Sequence, residues 1–172
     1  RFFTKAERTL PECFSLVFTA GSNELPQLRG LNFNNAERAF IVMPTAKKDT
    51  ITYWIKDSAL INQDTLRMEM TYLMTDSAGQ LVSQTDTLEV LSKQPYERRM
   101  KQLKATYEKW QKQQEKLKKK GEPYLTEMPR ELLAMSIKSS SELDPDKNVQ
   151  LQFKTPLAHV DTTKIHLYTK ID

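Results

Sequence analysis

The chain has 172 residues, of which 38% are hydrophobic and 28% charged, and a formal net charge of +4. This length suits one domain and part of another. No run approaches the roughly 18 consecutive apolar residues of a membrane span, and a single cysteine, Cys13, rules out an internal disulfide.

The first half of the chain is typical of short β-strands separated by turns. Apolar and polar residues alternate from Phe14 to Thr19, and most clearly from Leu66 to Met74, as in strands with one buried face. A turn beginning at Asp76 then leads into an antiparallel partner strand. We predict six strands in all, over residues 14–19, 28–33 (an edge strand), 39–43, 51–56, 66–74 and 81–91, which favours a β-sandwich.

This strand pattern also predicts which side chains are buried. Each sits on the apolar face of an alternating run, and a register slip of one residue would exchange the two faces. The predicted core residues are Phe14, Leu16, Phe18, Ile51, Tyr53, Leu66, Met68, Met70 and Tyr72.

Several predicted strands or apolar runs follow an Asp-Thr pair. The aspartates are Asp49, Asp64, Asp86 and Asp161. Asp favours turns because its side chain bonds to nearby backbone, and Thr begins an extended run readily. We therefore interpret these aspartates as turn residues and not as catalytic carboxylates. Cys13, with no histidine near it in sequence, is interpreted as a small residue at the start of a strand.

Residues 95–121 predict one long helix of roughly 39 Å. The segment consists largely of strong helix formers, with Thr106 as its one β-branched residue. Pro95 suits the start of a helix and Gly121 the position just past its end. Ten Lys or Arg against three Glu give the segment a net charge of +7, so the rest of the chain is slightly acidic.

The helix carries one narrow apolar seam with steps of four and three, which is the heptad pattern of coiled coils. The seam consists of Tyr96, Met100, Leu103, Tyr107, Trp110, Gln114 and Leu117. Helices gain most of their stability from packing. We therefore expect the first five of these residues to dock on the chain's own β-structure, with residues 111–120 in solvent. Pairing with a second copy of the helix is the alternative.

The last 50 residues predict a partial second β-unit. Residues 135–137, the run beginning at Val149 and a last strand containing Ile165, Leu167 and Ile171 have strand character. Asp144, Asp146 and Asn148 have the spacing of a calcium loop. However, Val149 and Thr155 stand where that loop needs Gly and Glu, so we predict a plain turn and no metal site.

The final segment, LDPDKNVQLQFKTPLAHVDTTKIHLY, resembles the opening of a bacterial immunoglobulin-like domain of surface-layer and envelope lipoproteins. FSLVFTAG and the later strands through DTLEVLS resemble another copy in the same order. The resemblance implies an all-β, immunoglobulin-like sandwich over residues 1–94, the long basic helix over 95–121, and a linker with a partial second immunoglobulin-like unit over 122–172. It implies no catalytic residue and no cofactor.

The resemblance also implies a function and a location. We expect a non-catalytic structural or adhesive module of a bacterial cell-envelope protein, part of a longer chain that is lipid-anchored outside this segment. Its partners would be flanking domains of the same chain, and envelope polysaccharide or another surface protein. A transmembrane segment is not expected, since no apolar run is long enough. Specific nucleic-acid binding is not expected either, because the helix aromatics lie on the seam and not among the lysines.

Two alternatives remain open. A carbohydrate- or polymer-binding module would present an exposed aromatic residue such as Trp54 to its ligand. A carbohydrate-active enzyme fragment would pair carboxylates from distant strands, although no nucleophile motif or glycine-rich phosphate loop supports catalysis.

Overall fold

The computed structural model describes residues 1–34, 36–129, 133–138, 148–157 and 159–166. The chain divides into two compact units, a first unit of residues 1–128 and a second unit of residues 129–172. The elements of the first unit are β1 (Phe3–Leu10), β2 (Cys13–Phe18), β3 (Gln27–Gly30), α1 (Ala36–Ala39), β4 (Phe40–Pro44), β5 (Thr50–Ile55), α2 (Ser58–Asn62), β6 (Thr65–Thr75), β7 (Leu81–Leu91) and α3 (Tyr96–Lys120). Those of the second unit are β8 (Met135–Ile137), β9 (Leu151–Phe153) and a 3₁₀ turn (Thr162–Lys164).

The first unit contains two open antiparallel sheets. One has the strand order β1-β2-β5-β4 and the other β3-β6-β7. The strands β6 and β7 pair over eleven residues each, joined by the predicted turn, in which the Asp76 carboxylate accepts bonds from the amides of Ala78 and Gln80. The predicted β-rich chain with one long helix is therefore confirmed, and β3 is an edge strand as expected.

The sequence did not predict β1, which makes seven strands in this unit where six were expected. Its register against β2 shifts between Phe3 and Lys5 and again between Glu7 and Leu10. Such irregularities interrupt the period-two alternation on which strand prediction depends.

The two sheets bury one shared hydrophobic core. All nine residues predicted to be buried are at most 6% exposed, and Met68 and Met70 are fully buried, so the predicted strand faces are confirmed. Apolar side chains of β2 and β5 from one sheet and of β6 from the other belong to this single cluster. Burial of this apolar surface is the main stabilising contribution to the unit.

The long helix ends as predicted. Gly121 has a left-handed φ of 73°, which glycine adopts without strain. Its amide and that of Glu122 bond back to the carbonyl groups of Lys118 and Leu117, a Schellman arrangement that satisfies the last turn. The helix therefore has 25 residues and a length of about 37 Å.

The described part of the second unit is small and open. Strands β8 and β9 pair antiparallel, and of their six residues only Phe153 is even partly buried. Ile165 follows the 3₁₀ turn and lies in no strand. Asp161 caps the start of that turn by accepting a bond from the amide of Thr163. The other residues of the predicted last strand, Leu167 and Ile171, and the calcium-like aspartates Asp144 and Asp146, lie outside the described residues.

Candidate functional site

Much of the apolar seam of α3 is open to solvent. Leu103 is 61% exposed, Tyr107 45% and Tyr96 39%, while Met100 and Trp110 are half-buried. The structure describes every residue of the helix, and none of them is buried. The expected docking of the N-terminal half on the β-structure is therefore wrong. A heptad pattern specifies an apolar seam, but it does not supply a surface to cover it.

The chain after α3 folds back onto the C-terminal end of the seam. The amide of Leu125 donates to the Gln114 side chain at 2.8 Å. The Lys118 ammonium lies 5.5 Å from the centre of the Tyr124 ring. Tyr107 and Trp110 stack on each other, with their ring centroids 5.8 Å apart. The free part of the seam thus runs from Tyr96 to Trp110.

The first turn of α3 is fixed to α2 and to the residues just before β6 by two polar contacts. The Asp64 carboxylate accepts a bond from the Tyr96 amide at 2.7 Å, which satisfies an unpaired donor and suits the positive end of the helix dipole. The Arg99 guanidinium donates to the Ile61 carbonyl oxygen at 3.0 Å. These contacts set the position of the helix where it begins, after β7.

A buried arginine supports the same junction. Arg8 is 1% exposed, and its guanidinium donates to the backbone oxygens of Pro11 and Gln63 at 2.7 Å, Ile61 at 3.1 Å and Leu60 at 3.3 Å. Burial, with the nearby Arg99 charge, lowers its pKa. The carbonyl groups at the end of α2 carry the negative end of that helix's dipole, which favours a cation. We call Arg8, residues 60–64 and Arg99 the helix base.

Sequence reasoning missed the helix base. Asp64 was predicted to be a turn residue, and its role at the start of α3 joins positions 32 residues apart. Asp49, which accepts a bond from the Thr45 hydroxyl before β5, does serve a turn. Asp86 does not: it lies inside β7 and accepts a bond from the Tyr72 hydroxyl at 2.9 Å. An Asp-Thr pair inside a long strand has the same local pattern as one before a strand.

Trp54, the candidate ligand contact, lies on β5 with its side chain on the face opposite the core. It is half-buried, with Cys13 of β2 and Ile41 of β4 as its cross-strand neighbours. Cys13 is a free buried thiol at the start of β2, and burial raises its pKa, which disfavours the reactive thiolate.

An open cleft of about 780 Å³ lies at the edge where β3 and β4 are unpaired. Its lining includes the rings of Phe33, Phe40 and Tyr53 and the ion pair between Arg29 and Glu69. The Tyr53 hydroxyl is buried and has no hydrogen-bond partner among the described residues. Burial raises its pKa to about 12, so the hydroxyl stays protonated at neutral pH.

Neither a metal centre nor a membrane-spanning helix occurs among the described residues. Within them, no three His, Cys, Asp or Glu side chains converge as metal ligands would. No helix in that part of the chain combines the length and the hydropathy that crossing a bilayer requires.

Comparison with known proteins gives no match. No protein-family model matches the chain, and no curated protein and no solved structure matches it significantly.

Proposed function

We propose that the chain is a non-catalytic structural or adhesive module of a bacterial cell-envelope protein. In this proposal the two sheets of the first unit form an immunoglobulin-like sandwich, and α3 is a spacer that follows them in the chain. The envelope location rests on the resemblance of the strand segments to domains of surface-layer proteins and envelope lipoproteins.

The strand order is the observation that carries the proposal. Constant-type immunoglobulin domains have seven antiparallel strands, with A, B, E and D in one sheet and C, F and G in the other. If the seven strands of the first unit are lettered in chain order, β1-β2-β5-β4 corresponds to A-B-E-D and β3-β6-β7 to C-F-G. The length of about 90 residues before the helix also suits such a domain.

The first unit differs from antibody domains in its core. Antibody domains link strands B and F by a disulfide, whereas the single cysteine of this chain is unpaired. Where antibody domains have that disulfide, Phe18 of β2 and Tyr72 of β6 are in contact, with their ring centroids 5.4 Å apart at an interplanar angle of 56°. Aromatic pairs of this kind add about 0.5–1.5 kcal/mol beyond the area that they bury.

The spacer role is supported by the attachment of α3 at its first turn and by the lack of buried residues along it. Its first turn is bonded to the helix base, and its remaining length has no buried residue. Each of its three glutamates, Glu97, Glu108 and Glu115, precedes a lysine by four residues, a spacing that stabilises exposed helices by about 0.2–0.5 kcal/mol per pair.

Spin-label distance measurement tests the spacer role. Labels at the exposed positions Ser83 on β7 and Lys112 on α3, in a Cys13→Ser background, should give one narrow distance distribution. The double substitution Asp64→Ala with Arg99→Ala should broaden it, because both contacts at the helix base are lost. Arg98→Ala, at the exposed neighbouring position, serves as the control and should leave the distribution unchanged. A broad distribution in the otherwise unsubstituted chain would refute a fixed spacer.

A carbohydrate- or polymer-binding module is the second candidate, because Trp54 stays partly exposed on the outer face of its sheet. A glycan-array screen of the full chain, with Trp54→Ala as the comparison, separates the two functions. The spacer proposal expects no glycan signal that depends on Trp54. A signal lost in Trp54→Ala would favour the binding module instead.

A further inference from the structure

The free seam of α3 is an apolar surface for which the sheets of the first unit offer no partner. It extends over 15 residues, from Tyr96 to Trp110, and therefore over about 21 Å of helix. Single exposed apolar residues are common on proteins, but five at heptad spacing on one helix form a continuous strip. Such a strip indicates an interaction surface.

The charge around the seam limits what can cover it. Ten basic side chains lie on α3, and all except Arg99 are exposed. With three glutamates, the helix has a net charge of +7. A second copy would bring two helices of this charge side by side, and their mutual repulsion opposes pairing. An anionic surface is attracted instead.

The composition of the seam favours a lipid surface over a partner helix. Coiled-coil seams are rich in Leu and β-branched residues, but none of the seven seam positions is β-branched and three are aromatic. Tyr and Trp combine an apolar ring with a polar tip, which suits the boundary between acyl chains and headgroups. Helices that lie in this boundary have basic polar faces and Trp or Leu on the other face.

From these observations we infer that α3 binds the surface of an anionic phospholipid bilayer. Tyr96, Leu103, Tyr107 and Trp110 insert their rings and methyl groups at the level of the headgroups. The lysines beside the seam contact lipid phosphates, with each basic residue near the surface adding to the attraction. The helix lies on the bilayer and does not cross it. This inference does not depend on the fold or spacer role proposed for the first unit.

Fluorescence titration with vesicles tests the inference on the full chain. In a Trp54→Phe background the emission reports Trp110 alone, since the chain has two tryptophans. We expect a blue shift with vesicles of phosphatidylcholine and phosphatidylglycerol at 3:1, and little shift with pure phosphatidylcholine. Salt at 0.5 M should reverse most of the shift, because it screens charges beyond a few ångströms.

Two matched substitutions separate seam binding from general attraction to a basic helix. Leu103→Gln removes an apolar group from the seam, while Ala105→Gln places the same side chain two positions away, about 200° around the helix. Both positions are exposed. We expect Leu103→Gln to weaken partitioning about three- to tenfold, in line with the loss of one partly buried Leu, and Ala105→Gln to change it less than twofold.

Three results would overturn the inference. One is the absence of a Trp110 shift with anionic vesicles, or an equal shift with neutral ones. Another is an equal loss of vesicle partitioning in Leu103→Gln and Ala105→Gln. The third is a dimer in sedimentation equilibrium that Leu103→Gln dissociates while vesicles bind neither form, since a second copy would then cover the seam.

Discussion

The paired sheets and the long helix both have regularly spaced apolar residues, but these residues are buried in the sheets and largely exposed on the helix. In the sheets, alternating residues such as Leu16 and Met70 are fully buried because the second sheet covers the face on which they lie. In α3, Leu103 occupies an equally regular apolar position and is 61% exposed. Periodicity therefore indicates which face is apolar, whereas burial requires a complementary surface within reach.

The largest expected effect contrasts these two regions directly. Met70→Ala should lower the free energy of unfolding by about 2–5 kcal/mol, since it removes a fully buried side chain and leaves a cavity. Leu103→Ala, on the exposed seam, should change it by about 0.5 kcal/mol or less. Urea denaturation of both variants measures the difference. Similar losses in both would mean that the seam is buried in solution.

The next effect concerns the helix base. Arg8→Met should destabilise the first unit by about 2–4 kcal/mol, because it leaves several buried carbonyl groups without their donor. Arg29→Met serves as the control, since Arg29 forms a surface ion pair with Glu69 that is expected to contribute about 1 kcal/mol or less. If urea denaturation finds the two variants equally stable, Arg8 does not hold the junction.

A smaller effect is expected at the start of α3. Asp64→Ala should cost about 0.5–2 kcal/mol, the usual range for loss of a helix cap. Asp64→Asn keeps an oxygen acceptor and removes the charge, so it should retain part of this stabilisation. Thermal unfolding by circular dichroism compares them. If Asp64→Ala unfolds at the same temperature as the unsubstituted chain, Asp64 does not stabilise the start of α3.

The smallest effect concerns the buried hydroxyl in the core. Tyr53→Phe should be neutral or stabilising by up to about 1 kcal/mol at pH 7, because that hydroxyl has no partner among the described residues. The folded-state pKa of Tyr53 is raised from 10.0 to about 12. Below pH 10 the hydroxyl is protonated in both the folded and the unfolded chain, and the free energy of unfolding does not depend on its ionisation. As the pH rises from 10 toward 12, the unfolded chain loses this proton first, so the free energy of unfolding falls.

Alkaline denaturation between pH 9 and pH 12.5 checks this prediction, and Tyr53→Phe should reduce the fall in stability. Tyr72 also has a pKa raised to about 12, chiefly by burial and then by its hydrogen bond to Asp86, so part of the fall should persist. A marked loss of stability in Tyr53→Phe at pH 7 would show that the hydroxyl does have a partner.

Local patterns predicted the parts of the fold that depend on nearby residues. The strands around Phe14 and Met70, the turn at Asp76 and the end of α3 at Gly121 all follow from alternation, turn chemistry or helix propensity. These signals are contained within about ten residues of sequence, so reading the chain in order detects them.

The candidate site depends on contacts that local patterns do not encode. Arg8 reaches Ile61 across 53 positions, and Asp64 reaches Tyr96 across 32. An arginine in a polar strand and an aspartate before an apolar run have no distinguishing signature. The exposed seam was predicted as a feature of the helix, but the expectation that it docks on the sheets was wrong because a repeat does not identify its partner.

Hydrogen exchange of the full chain, followed by mass spectrometry at low protein concentration without lipid, tests the central claim most directly. In the structure, α3 is held at its base by Asp64 and Arg99, and no element of the sheets covers its free seam. Amides of β6 should exchange only through global unfolding, and those of residues 100–117 far faster, by about a thousandfold or more, through local opening. Protection of these helix amides equal to that of β6 would contradict the claim, because it would require a surface that covers the seam.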